Sequence, residues 1–152
     1  MTETAREKLM RILSDPANLP AATRHLGYEL SDIDPKTSRV EAWFTAKPDF
    51  LNPNGSVQGG IVTAFLDEAM SLSVFVATHM KAAVPTLEMK TCFLRPLMTG
   101  RARCVGETLR LGRTVGFTEG RLYNEDGVLC ATASATAAIR PFEENTPGSD
   151  AG

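Results

Sequence analysis

Residues 52–70 read NPNGSVQGGIVTAFLDEAM. A loop of turn formers runs into the pair Gly59–Gly60 and then into an apolar segment carrying Asp67 and Glu68. The spacing predicts a helix from about Val57 to His79, the dominant helix of the chain. At about 100° per residue, Val62, Phe65, Leu66, Ala69, Leu72, Ser73, Val76 and Ala77 cover one broad, almost wholly apolar half. Gly60, Ala64, Asp67, Ser71, Val74 and Thr78 form a stripe of small and polar residues, and Glu68 lies to its side. A helix patterned this way is largely covered, and an unpaired carboxylate on it is costly. On pattern alone, Asp67 is either paired with a base, exposed at the helix edge, or at work in a cleft.

Outward from this helix, residues 3–14 have helical spacing and end at Pro16 and Pro20. Two short strands are predicted around His25–Asp32 and Ser38–Thr45, separated by the turn DPKT. The loop Lys47–Ser56 leads to the helix. Beyond the helix the chain is strand-like: TLEMKTCFLRP, RARCVGETLRL, TVGFTEGRLYN and VLCATASATAAIRP are separated by turn signals at Met98–Gly100, Gly112–Arg113 and Glu125–Gly127. These runs are expected to form successive antiparallel hairpins. Ala131, Ala133, Ala135 and Ala137 share one face of the last strand, small enough for a helix to lie close. The expected architecture is α+β, one long antiparallel sheet packed on one helix. It divides into an N-terminal helix and linker (1–22), a main domain (23–142) and a polar, disordered tail (143–152).

With 152 residues, 43% apolar and 22% charged, the chain is of ordinary globular composition and suits one domain. A net charge of −2 and scattered basic residues give no footprint for nucleic acid or an anionic membrane. No run of about 18 consecutive apolar residues occurs, and the N-terminus lacks a signal-peptide pattern, so a soluble cytoplasmic protein is expected. Cys92, Cys104 and Cys130 sit singly in strand-like runs and read as core residues; no zinc-type cluster is present, and no metal is expected. His25 and His79 are the only histidines, and neither is placed to serve a Ser-His-Asp triad or Cys-His dyad.

The Gly59–Gly60 pair reads in two ways: a helix start against which backbone packs, or a bare helix N-terminus whose amides face a carbonyl oxygen. Asp67 is eight residues further on, roughly 12 Å along a helix. One carbonyl cannot reach both in one chain. If both act together, the carboxylate comes from a second helix running antiparallel beside the first, which implies a two-fold dimer with two shared sites.

N-x-x-G-x-x-GG followed by an apolar run and an acidic residue, then a strand ending F-L-R-P, then G-R-T at a hairpin, resembles the hotdog-fold acyl-CoA thioesterases of the phenylacetate-degradation type, from about Val40 to Pro141. The resemblance implies a sheet wrapped around a central helix, chains joined edge to edge as homodimers or homotetramers, sites at the interface, an acyl-CoA substrate and no cofactor. Position by position, it makes Asp67 the catalytic carboxylate, as base on water or as nucleophile, and Gly59 the amide that polarises the thioester carbonyl. Asn52 becomes a polar group near the attacking water or carboxylate, and Ser71 and Thr86 hydroxyls that orient water. Gly60, Arg95, Pro96, Arg113 and Thr114 lie where the coenzyme passes. Many relatives have His-Gly-Gly where this chain has Gln58-Gly59-Gly60. A Gln amide donates a hydrogen bond but does not titrate near neutrality, so Gln58 holds the loop or thioester without acid–base chemistry. That loss gives the rival reading, a non-catalytic acyl-CoA-binding or regulatory module.

Overall fold

A computed structural model describes residues 2–143; nearly all of the expected tail lies outside the described residues. Helix α1 (Ala5–Ser14) starts with a capping box, Thr4 accepting from the Glu7 amide while the Glu7 carboxylate accepts from the Thr4 amide. It buries Leu9 against Ile33, Val40 and Val76. After a single 3₁₀ turn at Pro16–Asn18 comes α2 (Ala21–His25). The strand expected from His25 therefore starts later, as β1 (Glu29–Asp34). The intervening Gly27 turns the chain at φ +69°, and a Cβ there would stand 2.7 Å from the Thr45 side chain. Strand β2 (Arg39–Ala46) alternates buried residues with half-buried or exposed ones.

Helix α3 (Gly59–Ala77) is the expected central helix. Val62, Phe65, Leu66, Ala69, Ser73 and Val76 are buried as the wheel predicts; Leu72 and Ala77, expected on the same half, are half-buried, and Val74, expected on the small stripe, is buried together with Met70. By length and composition α3 could cross a membrane, and here it is the helix packed against the sheet. Then come β3 (Ala82–Ala83), β4 (Thr86–Phe93), β5 (Gly100–Leu111), β6 (Val115–Tyr123), β7 (Leu129–Ala138) and β8 (Arg140–Pro141). The short β3 and β8 pair with each other.

The main sheet has six strands, all antiparallel, in the order β1-β2-β5-β6-β7-β4. This is the expected α+β layout with one correction. β4 and β5 do not form a hairpin, because α3 carries the chain across the sheet and delivers β4 to the far edge, beside β7. Residues 94–99 then return across the strand ends to start β5 beside β2. The Leu94 and Arg95 amides donate to the Cys130 carbonyl, and the Leu97 carbonyl accepts from the Val57 amide. The F-L-R-P segment is thereby fastened to the entrance of α3.

The face of β7 carrying Ala131, Ala133, Ala135 and Ala137 is buried, as its small residues predict. The closest approach of helix to sheet is elsewhere. A Cβ on Gly106 of β5 would lie 2.3 Å from the Ala69 carbonyl oxygen, and one on Gly120 of β6 would meet the Met70 sulfur at 2.6 Å. Ser73 is buried at this crossing, donating to the Met70 carbonyl at 2.7 Å and lying 3.0 Å from each of the Thr108 and Thr118 hydroxyls. Cys104 and Cys130 are buried core residues whose thiols burial pushes up, and Cys92 is half-buried.

Candidate active site

Along α3, Gly59, Thr63, Asp67 and Ser71 follow one another at intervals of four, so they form a single row. That row runs beside β4. A Cβ on Gly59 would stand 3.2 Å from the Phe93 ring. Thr63 Oγ1 donates to Thr91 Oγ1 at 3.1 Å. Thr86 Oγ1 donates to Asp67 Oδ1 at 2.7 Å, and the Ser71 hydroxyl lies 3.4 Å from Thr86 Oγ1. Because the Thr86 hydrogen goes to the carboxylate, Ser71 is the donor in the second contact. The order Ser71 to Thr86 to Asp67 ties down Oδ1 and leaves Oδ2 of this half-buried carboxylate with no side-chain partner among the described residues.

The other end of the row opens into a cleft of about 350 Å³ lined by Asn52, Ser56, Val57, Gly59, Val62, Phe93, Leu94, Arg95, Pro96 and Leu97. The Gly59 and Gly60 amides, the first of the helix, have no acceptor among the described residues, as expected where a helix begins. Asn52 shapes the loop: its Oδ1 accepts from the Asn54 and Ser56 amides at 2.9 and 3.3 Å, and its Nδ2 donates to Ser56 Oγ at 3.0 Å. Gln58 is the N-cap of α3, its Oε1 accepting from the Ile61 amide at 3.2 Å. Gly60 makes room for this cap, since a Cβ there would sit 2.7 Å from Gln58 Oε1. Arg95 is exposed and donates one guanidinium hydrogen to the Leu129 carbonyl at 2.9 Å.

One chain therefore gathers Asn52, Gly59, Arg95 and Pro96 at one end of the row and Asp67, Ser71 and Thr86 two helical turns away. Arg113 and Thr114 are exposed on the β5–β6 hairpin and join neither group. They share the Thr86 end of the sheet, since Val115 pairs with Ala138 and Thr86 with Ala137. Thr63, Thr91 and Phe93 are additions that the sequence pattern missed. Thr63 could have been found by counting fours from Gly59; Thr91 and Phe93 needed the pairing of helix with strand.

Glu68 faces the opposite flank of the helix. Its carboxylate accepts from the hydroxyl of buried Thr23 at 2.8 Å and lines an apolar cavity of about 380 Å³ with Leu13, Leu19, Leu72 and Phe75. Burial raises its pKa above 4.5; the Thr23 hydrogen bond opposes the shift and the neighbouring Asp67 charge adds to it. His25 packs edge-on against Phe50, and His79 lies beyond the C-terminal end of α3, so neither meets Asp67. No group of three or more His, Cys, Asp or Glu among the described residues could hold a metal ion.

Comparison with known proteins gives the family of the chain. Residues 54–131 match the model of the Thioesterase superfamily. The chain is similar to the proofreading thioesterase EntH of Cronobacter turicensis, 26% identical over 76% of this chain and 82% of that one. Among solved structures it is similar to a phenylacetic acid degradation-related protein from Ralstonia eutropha JMP134, with TM-score 0.80 and 35% identity over 86% of this chain and 98% of that one. The PaaI protein from the phenylacetic acid degradation operon of E. coli shares the fold, with TM-score 0.78 and 16% identity over 92% of this chain and 97% of that one. The matched segment holds the capped entrance of α3, the whole row and most of the sheet, and this chain belongs to the thioesterase superfamily.

Proposed function

We propose that the protein is a cofactor-free acyl-CoA thioesterase of the cytoplasm, hydrolysing its substrate to free acid and CoA at sites shared between the two chains of a dimer. The observation that carries this reading is the spacing along α3. The free Gly59 amide and the Asp67 carboxylate occupy one helical row eight residues apart, about 12 Å along the axis. Facing the same way, they are too distant to serve one carbonyl. A two-fold partner whose α3 runs antiparallel brings Gly59 of one chain opposite Asp67 of the partner subunit. The free edge needed for such pairing is β4, on which Leu87 and Phe93 are each 57% exposed. Dimers of this kind can pair again into tetramers.

In that site the thioester oxygen accepts from the Gly59 amide, which stabilises the charge that develops there. Water attacks the carbonyl carbon while Oδ2 of the partner subunit's Asp67 takes its proton, and the partner's Thr86 holds Oδ1. The tetrahedral intermediate then collapses: the C–S bond breaks, the CoA thiolate takes the proton back, and the acid is released. The alternative, direct attack by Oδ2 through an anhydride, uses the same atoms and ends in the same hydrolysis. Arg95 of one chain and Arg113 of the other are the cations available to the coenzyme phosphates, since antiparallel pairing along β4 brings their ends of the sheet together.

A panel of acyl-CoAs assayed by release of free thiol tests the reading. Turnover that is lost in Asp67→Asn supports it. Binding of acyl-CoA without turnover would instead make the chain a binding module, with Gln58 acting only as a helix cap.

A further inference from the structure

The middle of the row carries a pair that the catalytic steps above leave unused. Thr63 lies four residues from Gly59 and four from Asp67, and its hydroxyl is fixed to Thr91 of β4 at 3.1 Å. We infer that Thr63 marks the two-fold axis of the dimer and that the Thr63–Thr91 pair is the end wall of the acyl pocket, which makes these two residues specificity-determining. This rests on the shared-site thioesterase reading.

The axis follows from symmetry. Where Gly59 of one chain stands opposite Asp67 of its partner, the residue midway between them stands opposite its own copy. Each Thr63 is then about 6 Å along the helix from the level of either site. The direction of the acyl group follows from chemistry. The coenzyme needs Arg95 and the cleft at residues 94–97, beyond the Gly59 end of the row and away from the axis. The acyl group, on the opposite side of the thioester carbon, extends along the row toward Thr63. There it meets two threonine side chains held by their mutual hydrogen bond, with the partner's copies behind them. β-Branched side chains have little rotameric freedom, so this wall yields little, and the length of acyl group accepted follows from its position.

Two experiments test the inference. The first measures kcat/KM over straight-chain acyl-CoAs from acetyl to dodecanoyl. The double variant Thr63→Ala, Thr91→Ala is expected to move the preference toward longer chains, improving the longest relative to acetyl-CoA by about tenfold, on the order of one or two buried methylenes. Thr63→Leu is expected to have the opposite effect, lowering kcat/KM for the longest chains relative to acetyl-CoA by about tenfold. Profiles that superimpose on wild type would overturn the wall and leave the acyl-CoA reading standing; failure of wild type to hydrolyse any acyl-CoA would overturn both. The second experiment locates the axis without using activity. In a Cys92→Ser background, Thr63→Cys should cross-link between chains with a short bis-maleimide much faster than Thr78→Cys, which lies far along the same helix. Faster linking at position 78 would overturn the axis and the wall together.

Discussion

Thr86 of the edge strand donates to Asp67 of the central helix at 2.7 Å, and that single bond divides the carboxylate into a held oxygen and a free one. A carboxylate positioned in this way can present Oδ2 to water or to a thioester without having to reorient. Asp67→Asn keeps the shape and removes the charge. It should lower kcat/KM by about 100- to 10,000-fold with little change in thermal stability. Thr86→Val should act more mildly and mainly on kcat, because it frees the carboxylate without deleting it. Equal losses in the two variants, measured by steady-state kinetics beside thermal melts, would mean that Thr86 does more than position Asp67.

Glu68, next to Asp67 in sequence, should behave differently. Its raised pKa means that the folded state favours the protonated form. The stability this contributes is fully present below the unfolded value near 4.5 and is lost as pH rises through the higher folded-state value. Glu68→Gln keeps a hydrogen-bond acceptor for Thr23 and removes the titration. The variant should therefore lose less stability than wild type as pH rises from 4 toward neutrality, on the order of the carboxylate range, with hydrolysis close to wild type. Denaturant melts across that range are the check; an unchanged slope would assign the pH dependence to other groups.

Complementation tests whether one site uses two chains. Asp67→Asn and Gly59→Val should each be nearly inactive alone, the valine reaching toward the Phe93 ring that already stands 3.2 Å from a Cβ at that position. After subunit exchange, one site of each heterodimer has both groups intact. About half the mixture is heterodimer, so activity should return to roughly a quarter of wild type. No recovery, with exchange confirmed by mass spectrometry, would place both groups in one chain or remove one of them from catalysis.

The two crossing glycines should differ in their tolerance of a methyl group. At Gly106 a Cβ meets the backbone of α3 at 2.3 Å, and backbone in a packed helix cannot give way. Gly106→Ala should cost at least about 1–3 kcal/mol. At Gly120 the obstacle is the flexible Met70 side chain, so Gly120→Ala should be milder. Chemical denaturation ranks the pair, and the reverse order would mean that the helix shifts more readily than methionine repacks.

Replacing the cap should cost stability before it costs chemistry. Gln58→Ala removes the acceptor of the Ile61 amide at 3.2 Å and should destabilise by about 0.5–1 kcal/mol. A fall in kcat far beyond what Gly59 mispositioning explains would give Gln58 a direct part in the reaction.

Much of this molecule was legible in the chain because it depends on local rules. The period of residues 59–77 predicts the helix and its buried half, the Gly–Gly pair marks its start, and the turn signals at Gly112 and Gly127 mark two true hairpins. The third short connection, residues 94–99, looks the same locally and is a crossover. Strand pairing is decided by where α3 delivers the chain, and short-range pattern does not carry that information. The start of the early strand was misplaced for a related reason: residues 21–25 have too few turns to show a helical period, and contacts with the rest of the domain decide their form.

The candidate site divides along the same line. Sequence alone determined that Asp67 and Gly59 lie on one helix about two turns apart, because a fixed rise per residue turns counting into distance. It also distinguished Asp67 from Glu68, because the angular step per residue sends adjacent side chains to different flanks. Only the tertiary structure decided that Thr86 and Ser71 complete the carboxylate, that Phe93 and residues 94–97 wall the Gly59 cleft, and that Thr91 secures Thr63. Those contacts join residues distant in sequence, whose meeting depends on β4 lying at the sheet edge beside α3.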